Sequence, residues 1–223
     1  MVDKRVTDDQ EIEFFKQKKV GRINRENLQL FLQYPDCVFG KQKEEILDFA
    51  YTRQNGQITM NIPRGMTTEK VFEMYQAQGR NNHFSVEKDK NIHKSLDAVI
   101  TKNDRYPKEG YRISFPDLIE ADEDLRDLSA YQLELLKKED KGRKFITLFE
   151  RLALGWIVFK ETGKHLDPSG YTLCAGSRTR NGYVPHVFSR DGNVYVSLYY
   201  PSYHDDELST REAIGTLQDA VSK

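Results

Sequence analysis

The residues best suited to chemistry lie in the last quarter of the chain, where arginine, histidine and aspartate recur at short intervals. Arginine can hold a phosphate or carboxylate through two parallel hydrogen bonds, so the first interpretation is an anion-binding site. In the second interpretation His186, His204 and Asp205, or the aspartate after it, ligate a divalent metal that activates water. In the third they are ordinary surface and turn residues, which we favour because charged side chains are mostly exposed. The complete set is Arg178, Arg180, His186, Arg190, His204, Asp205, Asp206 and Arg211.

Tyrosines are interleaved with these charged residues. Aromatic rings beside arginines on a sheet can stack nucleobases or ring ligands, and both residue types are also enriched in protein interfaces. Because alternate residues of a strand face opposite sides, about half of these rings are expected in the core. We include Tyr195 in the predicted binding surface. The five tyrosines are Tyr183, Tyr195, Tyr199, Tyr200 and Tyr203.

Three other motifs have a plainer explanation. Cys174 could be a nucleophile only with a base in reach, such as His165 or His186, and a buried strand thiol is favoured because free cysteine is usually buried. The tripeptide around Arg64 precedes a predicted helix and could hold an anion, although an ordinary turn is favoured. The acidic run at 120–124 lacks the spacing and glycine of a calcium loop, so we interpret it as charge at a helix start.

Composition narrows the class of protein. The 34 basic and 35 acidic residues nearly cancel, so nucleic-acid binding is possible but not favoured, except through a local basic patch. The sequence has no N-terminal apolar segment of the secretory type and no apolar run of membrane-spanning length. Cys37 and Cys174 form no metal or redox motif, and we expect free thiols in a reducing cytoplasm. No known catalytic motif occurs, and no cofactor is expected.

The element that must support the candidate residues is a helix predicted over 145–163. Its apolar residues recur at helical spacing along one face, and others lie nearly opposite, so burial on most sides is expected. Gly163 should end the helix in the left-handed conformation. Gly155 in mid-helix costs about 1 kcal/mol relative to alanine, and we expect close packing against it. Trp156 is likewise expected to serve packing.

Two smaller regions precede this helix. Residues 1–54 are predicted to form a helical hairpin region, with the hairpin over 7–34 and a short helical piece around 44–51. Residues 55–140 are predicted to form a small α+β region, with strands over 57–62 and 111–115. Its helices are expected from Thr67 or Thr68 to Gly79, from an Asn91 cap to an end at Asn103-Asp104, and over 130–136 after a Ser129 cap.

Residues 141–223 are predicted to hold the long helix and a β-meander, packed with 55–140 as one domain. The three strands cover 171–174, 183–188 and 193–199, and Asn-Gly and Asp-Gly pairs at 181–182 and 191–192 predict hairpin turns. Pro185 is expected at an edge or a bulge. A loop and a short helix are expected over 205–217.

Several segments together resemble a group of uncharacterised proteins from uncultivated, small-genome bacteria. These segments are TLFERL at 147–152, KETGKHLD at 160–167, TLCAGSR at 172–178, NGYVPHV at 181–187 and YVSLYYP at 195–201. The resemblance is best over 105–211. It implies a bacterial, cytosolic origin and one recurring module of helix plus meander, and it carries over no activity and no catalytic residue.

The sequence therefore predicts an α+β protein with a helical N-terminal part, a small strand-helix unit, and a long buried helix packed on a C-terminal antiparallel β-meander. The expected function is a non-enzymatic binding or interaction module that uses the Arg/Tyr-rich meander surface. Its partner would be a protein or an anionic ligand. The alternatives are a metal-dependent hydrolase with a His/Asp site and a nucleic-acid-binding accessory protein.

Overall fold

The computed structural model describes residues 50–63, 65–90, 92–105 and 110–217 of the 223-residue chain. The predicted hairpin over 7–34, Cys37, Arg64 and most of the helical piece around 44–51 lie outside the described residues. The strands are β1 (Ala50–Gln54), β2 (Gln57–Ile62), β3 (Val86–Lys88), β4 (Ile100–Asn103), β5 (Tyr111–Pro116), β6 (Tyr171–Leu173), β7 (Ser177–Thr179), β8 (Val184–Arg190), β9 (Asn193–Tyr199), β10 (Leu208–Ser209) and β11 (Gly215–Leu217). The helices within these ranges are α1 (Thr68–Asn82), α2 (Leu96–Val99), α3 (Ala130–Glu139) and α4 (Leu148–Thr162). The α+β class is confirmed.

Helix α4 is the predicted central helix, and its ends are set by its caps. It starts at Leu148, three residues later than predicted, because Thr147 and Glu150 form a capping box with reciprocal hydrogen bonds to backbone N–H groups. Gly163 ends it in the left-handed conformation at φ 68°, as predicted. Every residue from Leu148 to Val158 is buried, so the prediction of burial on most sides is confirmed.

Gly155 marks the point where α1 packs against α4. A Cβ at Gly155 would lie 3.2 Å from a ring carbon of Tyr75 and 2.8 Å from Nη1 of Arg151. The predicted close packing is therefore confirmed, since glycine is the residue that leaves room for both neighbours.

The strands form three sheets in the described part of the chain. The first has the order β1-β2-β5-β11, with every pairing antiparallel. The second has the order β10-β6-β8-β9-β3, in which β6, β8 and β9 are the predicted antiparallel meander. Its edge strand β10 pairs in parallel with β6, and its other edge strand β3 pairs in parallel with β9. Strands β4 and β7 form a separate antiparallel pair.

Three local expectations were wrong, each because a distant partner decides the structure. Ala50 and Tyr51 were expected in a helical piece, but they belong to β1, which pairs with β2 across a turn with positive φ at Asn55 and Gly56. Residues 205–217 were expected to include a helix, but they contain β10 and β11. Residues 100–103 form β4, so α2 is shorter than predicted.

Pro185 lies in the central strand β8, and not at an edge as predicted. Its carbonyl accepts a hydrogen bond from Cys174 N at 2.8 Å, just past the end of β6 at Leu173. A residue in an antiparallel strand directs its N–H and C=O to the same side. An N–H at position 185 would therefore point to the position just past the end of β6, where the pairing of β6 with β8 has already ended.

Helix α4 covers one face of the meander, as predicted. One core cluster joins apolar residues of β2 and β5, the whole buried face of α4, and Val187, Val194 and Val196 of the meander. A second cluster on the opposite face joins Leu173 and Val184 to α3. Among the described residues no helix combines the length and the apolar composition needed to cross a bilayer.

Candidate functional site

The structure distributes the predicted site residues over four places. Arg180 lines a cleft at the end of β9. A row of aromatic rings on the meander contains His186 and Tyr195, with Arg190 beside it. Arg211 lies in the core. Arg178, His204 and Asp205 are held by local contacts, described below.

Arg178 lies in β7 and stabilises the turn that precedes this strand. Its Nη1 donates to the carbonyls of Ala175 and Ser177 at 2.7 and 2.8 Å. Burial lowers the pKa of this guanidinium, while the nearby carboxylates of Glu134 and Asp104 act in the opposite direction. Some of the N–H donors of Arg178 are therefore used within the chain, where they stabilise the turn between β6 and β7.

The aromatic row runs across β8 and β9 on the meander face opposite α4. Neighbouring rings lie nearly parallel: the centroids of His186 and Tyr199 are 3.7 Å apart with planes at 4°. Tyr199 and Tyr203 are 4.1 Å apart at 24°, and Phe188 and Tyr195 are 5.1 Å apart at 21°. Rings that cover one another in this way have few free faces for a nucleobase, which weakens the stacking interpretation for Tyr195 and Tyr199.

None of the five tyrosines is in the core, although half were expected there. The reason is register. Val187 and Val196 are cross-strand partners that face α4, so Tyr195 and Tyr199 must face the other way. Tyr200 and Tyr203 lie beyond the end of β9 and are exposed.

His186 is buried within this row, and its Nδ1 has no hydrogen-bond partner among the described residues. Burial lowers the pKa of His186 to about 3, and the charge of Asp89 only partly offsets this. The imidazole is therefore neutral at physiological pH. It contributes packing and offers no positive charge to an anion.

The residues of the alternative metal site do not form a ligand set. His186 and Asp205 are separated by two rings, since Tyr199 stacks on His186 and Tyr203 donates to Asp205 Oδ2 at 2.9 Å. His204 Nδ1 lies 2.9 Å from Asp127 Oδ1 on the exposed surface. Within the described ranges there is no group of three or more His, Cys, Asp or Glu residues that could hold a metal ion.

Arg211, predicted as a binding residue, is instead part of a buried charge network. Its Nη2 donates to Asp167 Oδ1 at 2.6 Å and to the Ile119 carbonyl at 2.8 Å, and its Nη1 donates to the Leu118 carbonyl at 2.9 Å. Arg151 Nη2 donates to Asp167 Oδ2 at 2.8 Å. All three charged side chains are about 1% exposed, so none of them reaches an external ligand.

Asp167 holds this network together. Burial alone would raise the pKa of its carboxyl group, but the charges of Arg211 and Arg151 hold that pKa below the usual value. Thr172 adds a short hydrogen bond to the same carboxylate. Arg151 and Asp167 were not predicted as partners of Arg211, because Arg211 lies 44 residues after Asp167 and no local pattern indicates this contact.

Glu150, which precedes Arg151 in α4, carries a second buried carboxylate that is paired with an arginine. Arg105 donates from Nε and Nη2 to its two oxygens at 2.7 Å each, and Tyr111 donates to Oε1 at 2.8 Å. The Thr147 N–H donates to Oε2 at 2.8 Å. This pairing explains how α4 contains a charged pair at 150–151 and is still buried from Leu148 to Val158.

Two further hypotheses of catalysis or binding lose support. Cys174 is fully buried, and burial raises the pKa of its thiol far above the usual value, which opposes thiolate formation. The N-terminus of α1, proposed as an anion site, is already occupied: Thr68 N and Glu69 N donate to the Asp97 carboxylate at 2.9 and 3.0 Å.

The feature best suited to binding is a cleft of about 590 Å³ at the end of β9. This is the size of a typical small-ligand pocket. One wall comes from the segment that links β3 to α2, and the other from the β7–β8 turn and the last residues of β9. The lining residues are Asp89, Ile92, Lys94, Ala98, Val99, Thr179, Arg180, Asn181, Tyr183, Ser197, Leu198 and Tyr200.

The cleft combines positive charge with aromatic and aliphatic surface. Arg180 and Lys94 are exposed, and neither side chain has an ion-pair partner in the part of the chain that the structure describes. The rings of Tyr183 and Tyr200 lie 4.8 Å apart at 39°, and Tyr200 is 65% exposed. Arginine and tyrosine are the residues that dominate binding energy in many interfaces.

The cleft also contains one carboxylate, that of Asp89, whose orientation is set by a hydrogen bond. Ser197 Oγ donates to Asp89 Oδ2 at 3.0 Å, which orients this carboxylate beside the strand. The three charged lining residues therefore leave a net charge of about +1 at a site with aliphatic walls. Of the predicted site residues only Arg180 lies in the cleft. Lys94 and Asp89 were not predicted as site residues, because they lie about 100 residues before Arg180 and Ser197 in the sequence.

Comparison with known proteins adds no assignment to this geometry. No protein-family model matches the chain, and none of the curated proteins or solved structures compared with it is detectably similar. The resemblance to uncharacterised bacterial proteins therefore stays a prediction, and the candidate site rests on the arrangement of its own residues.

Proposed function

We propose that the chain is a binding module and that the cleft at the end of β9 is its binding site. The ligand carries an anionic group next to a ring or another apolar group. The observation that carries this proposal is the pair of exposed cations, Arg180 and Lys94, beside the Tyr183–Tyr200 ring pair. Because these exposed cations have no internal ion-pair partner, an anionic ligand can bind them without breaking an existing ion pair.

The contacts of the cleft support this function better than the two alternatives. A metal-dependent hydrolase needs converging ligands, whereas Tyr199 and Tyr203 lie between His186 and Asp205. A nucleic-acid surface needs several cations along a track, and the cleft holds two. We also propose a cytosolic location and a bacterial origin. Support comes from the buried free thiol of Cys174 and from the sequence resemblance.

The proposal is tested by titration with three small probes, followed by amide chemical shifts in NMR spectra. The probes are phenyl phosphate, which has both groups, and its two fragments, phenol and inorganic phosphate. We expect phenyl phosphate to bind at least about tenfold more tightly than either fragment, a difference of about 1.4 kcal/mol. The shifts should be confined to residues 92–99, 179–183 and 197–200.

Variants identify the groups responsible. Arg180→Gln and Lys94→Gln should each weaken phenyl phosphate binding about ten- to hundredfold, because a charge-assisted hydrogen bond contributes about 1.5 to 3 kcal/mol. Lys164→Gln is the matched control, since Lys164 is exposed past the C-terminus of α4 and does not line the cleft. Equal affinity of all three variants and the native chain would remove the cleft as the binding site.

A further inference from the structure

The cleft follows the edge of a strand, and this position limits what can bind in it. Ser197 and Leu198 are consecutive residues of β9, so their side chains point to opposite faces of the sheet. Both line the cleft. A cavity that touches both faces of one strand opens on the edge of that strand, where the backbone groups are presented.

Strand β3 covers only the first part of this edge. It pairs in parallel with β9 from Val194 to Val196. Val194 N donates to the Ser85 carbonyl at 2.9 Å, and the Val196 carbonyl accepts from Asp89 N at 2.8 Å. After Asp89 the chain leaves β9 and forms the opposite wall of the cleft.

Leu198 is the next residue whose backbone faces this edge, because alternate residues of a strand present their N–H and C=O groups to the same side. Its partner across the ladder is Pro185. Pro185 has no N–H, and its carbonyl is bonded to Cys174 N on the far side. In the described part of the chain β3 pairs with β9 only as far as Val196, so β3 does not cover this edge at Leu198, which lines the cleft.

We propose that the cleft accepts an extended peptide segment with acidic side chains. The segment pairs with the backbone of Leu198, along the part of the β9 edge that β3 does not cover. This inference rests on the proposed function and names the ligand class of the same cleft. The backbone of Leu198 supplies one donor and one acceptor for strand addition. Arg180 and Lys94 select the acidic side chains, and Ile92, Val99 and Leu198 contact the apolar ones.

The test uses a capped six-residue peptide in which glutamate alternates with valine, and a matched peptide with lysine in place of glutamate. We expect the acidic peptide to bind and the basic peptide to bind at least about tenfold more weakly, since the two cations repel it. Arg180→Gln should reduce this preference, whereas Lys164→Gln should leave it unchanged.

Backbone pairing is tested separately from charge. Six analogues of the acidic peptide each carry one N-methyl group, which removes a single backbone donor. Methylation should reduce affinity at least about tenfold at the position whose N–H pairs with the Leu198 carbonyl, and it should have little effect at positions whose N–H faces away from β9. The amide hydrogen of Leu198 should exchange more slowly with the peptide bound than with phenyl phosphate bound.

The outcomes separate this inference from the proposed function. If phenyl phosphate binds in the cleft but the acidic peptide does not, the binding site stands and the peptide assignment is overturned. The assignment is also overturned if all methylated analogues bind equally, or if exchange at Leu198 does not change. If neither probe binds, both proposals fail.

Discussion

At the scale of single residues, the charges that matter most to stability are the buried ones. Asp167 faces two arginines, Arg151 and Arg211, with all three side chains about 1% exposed. A buried charge that loses its partner cannot be solvated, so breaking such a pair costs about 3 to 5 kcal/mol. We expect Asp167→Asn to lower the free energy of unfolding in urea by this amount. The exposed pair Glu123–Arg126 is the control, and Glu123→Gln should cost less than about 1 kcal/mol.

His186 makes stability depend on pH. Its pKa is about 3 in the folded chain because of burial, against about 6.5 in an unfolded chain. Between these values the unfolded state binds a proton that the folded state does not, so stability is present above about pH 6.5 and is lost as the pH falls towards 3. The variant His186→Phe keeps an aromatic ring but has no imidazole to titrate. When the pH falls from about 7.5 to 4.5, its free energy of unfolding should therefore decrease by about 2 to 3 kcal/mol less than that of the native chain.

Urea unfolding at several pH values measures this difference. The buried carboxylates of Asp167 and Glu150 also titrate in acid, but they are present in both proteins and cancel in the comparison. Superimposable profiles of stability against pH would show that His186 is not neutral and buried.

At the scale of elements, the contact between α1 and α4 depends on Gly155. Alanine at this position gains about 1 kcal/mol of helix propensity. However, its Cβ would meet Tyr75 and Arg151, and Arg151 cannot move without breaking its bonds to Asp167. We expect Gly155→Ala to destabilise the fold by about 1 to 3 kcal/mol, measured by urea unfolding. Adding Tyr75→Leu should make the double variant less costly than the sum of its parts; strict additivity would argue against this contact.

Elements defined by local patterns were predictable from sequence, and those defined by distant partners were not. The caps at Thr67 and Ser129 and the turn at Asp191-Gly192 act within a few residues, so their chemistry is visible in the sequence. Strands β10 and β11 are short and exist through pairing with β6 and β5. Such pairing depends on tertiary context, which overrides local propensity.

The same distinction applies to the candidate site. The cluster from Arg178 to Arg211 was visible as a set of residue types, but strand alternation sends its members to different surfaces. Arg180 reaches the cleft because it lies in the β7–β8 turn, whereas His186 is covered by Tyr199. Lys94 and Asp89 join the cleft only through the parallel pairing of β3 with β9, which no local pattern indicates.

At the scale of the whole molecule, the largest core cluster joins residues from both predicted regions of the described chain. The largest cluster contains Ile58 and Phe115 of the first sheet, Trp156 of α4 and Val196 of the meander. The C-terminal segment adds two links, since β11 pairs with β5 and Arg211 binds the carbonyls of Leu118 and Ile119. The described residues of regions 55–140 and 141–217 therefore bury apolar surface against each other.

This arrangement predicts a single cooperative unfolding transition for both regions. Trp156 is the only tryptophan, so its fluorescence reports on α4, while amide hydrogen exchange at Met60 and Ile113 reports on the first sheet. We expect both probes to give the same urea midpoint in the full chain, because a core shared by two regions cannot be lost from one alone. Asp167→Asn should shift both midpoints down together. Loss of amide protection at Met60 and Ile113 at a urea concentration where Trp156 still gives its native fluorescence would instead show two independently folding units.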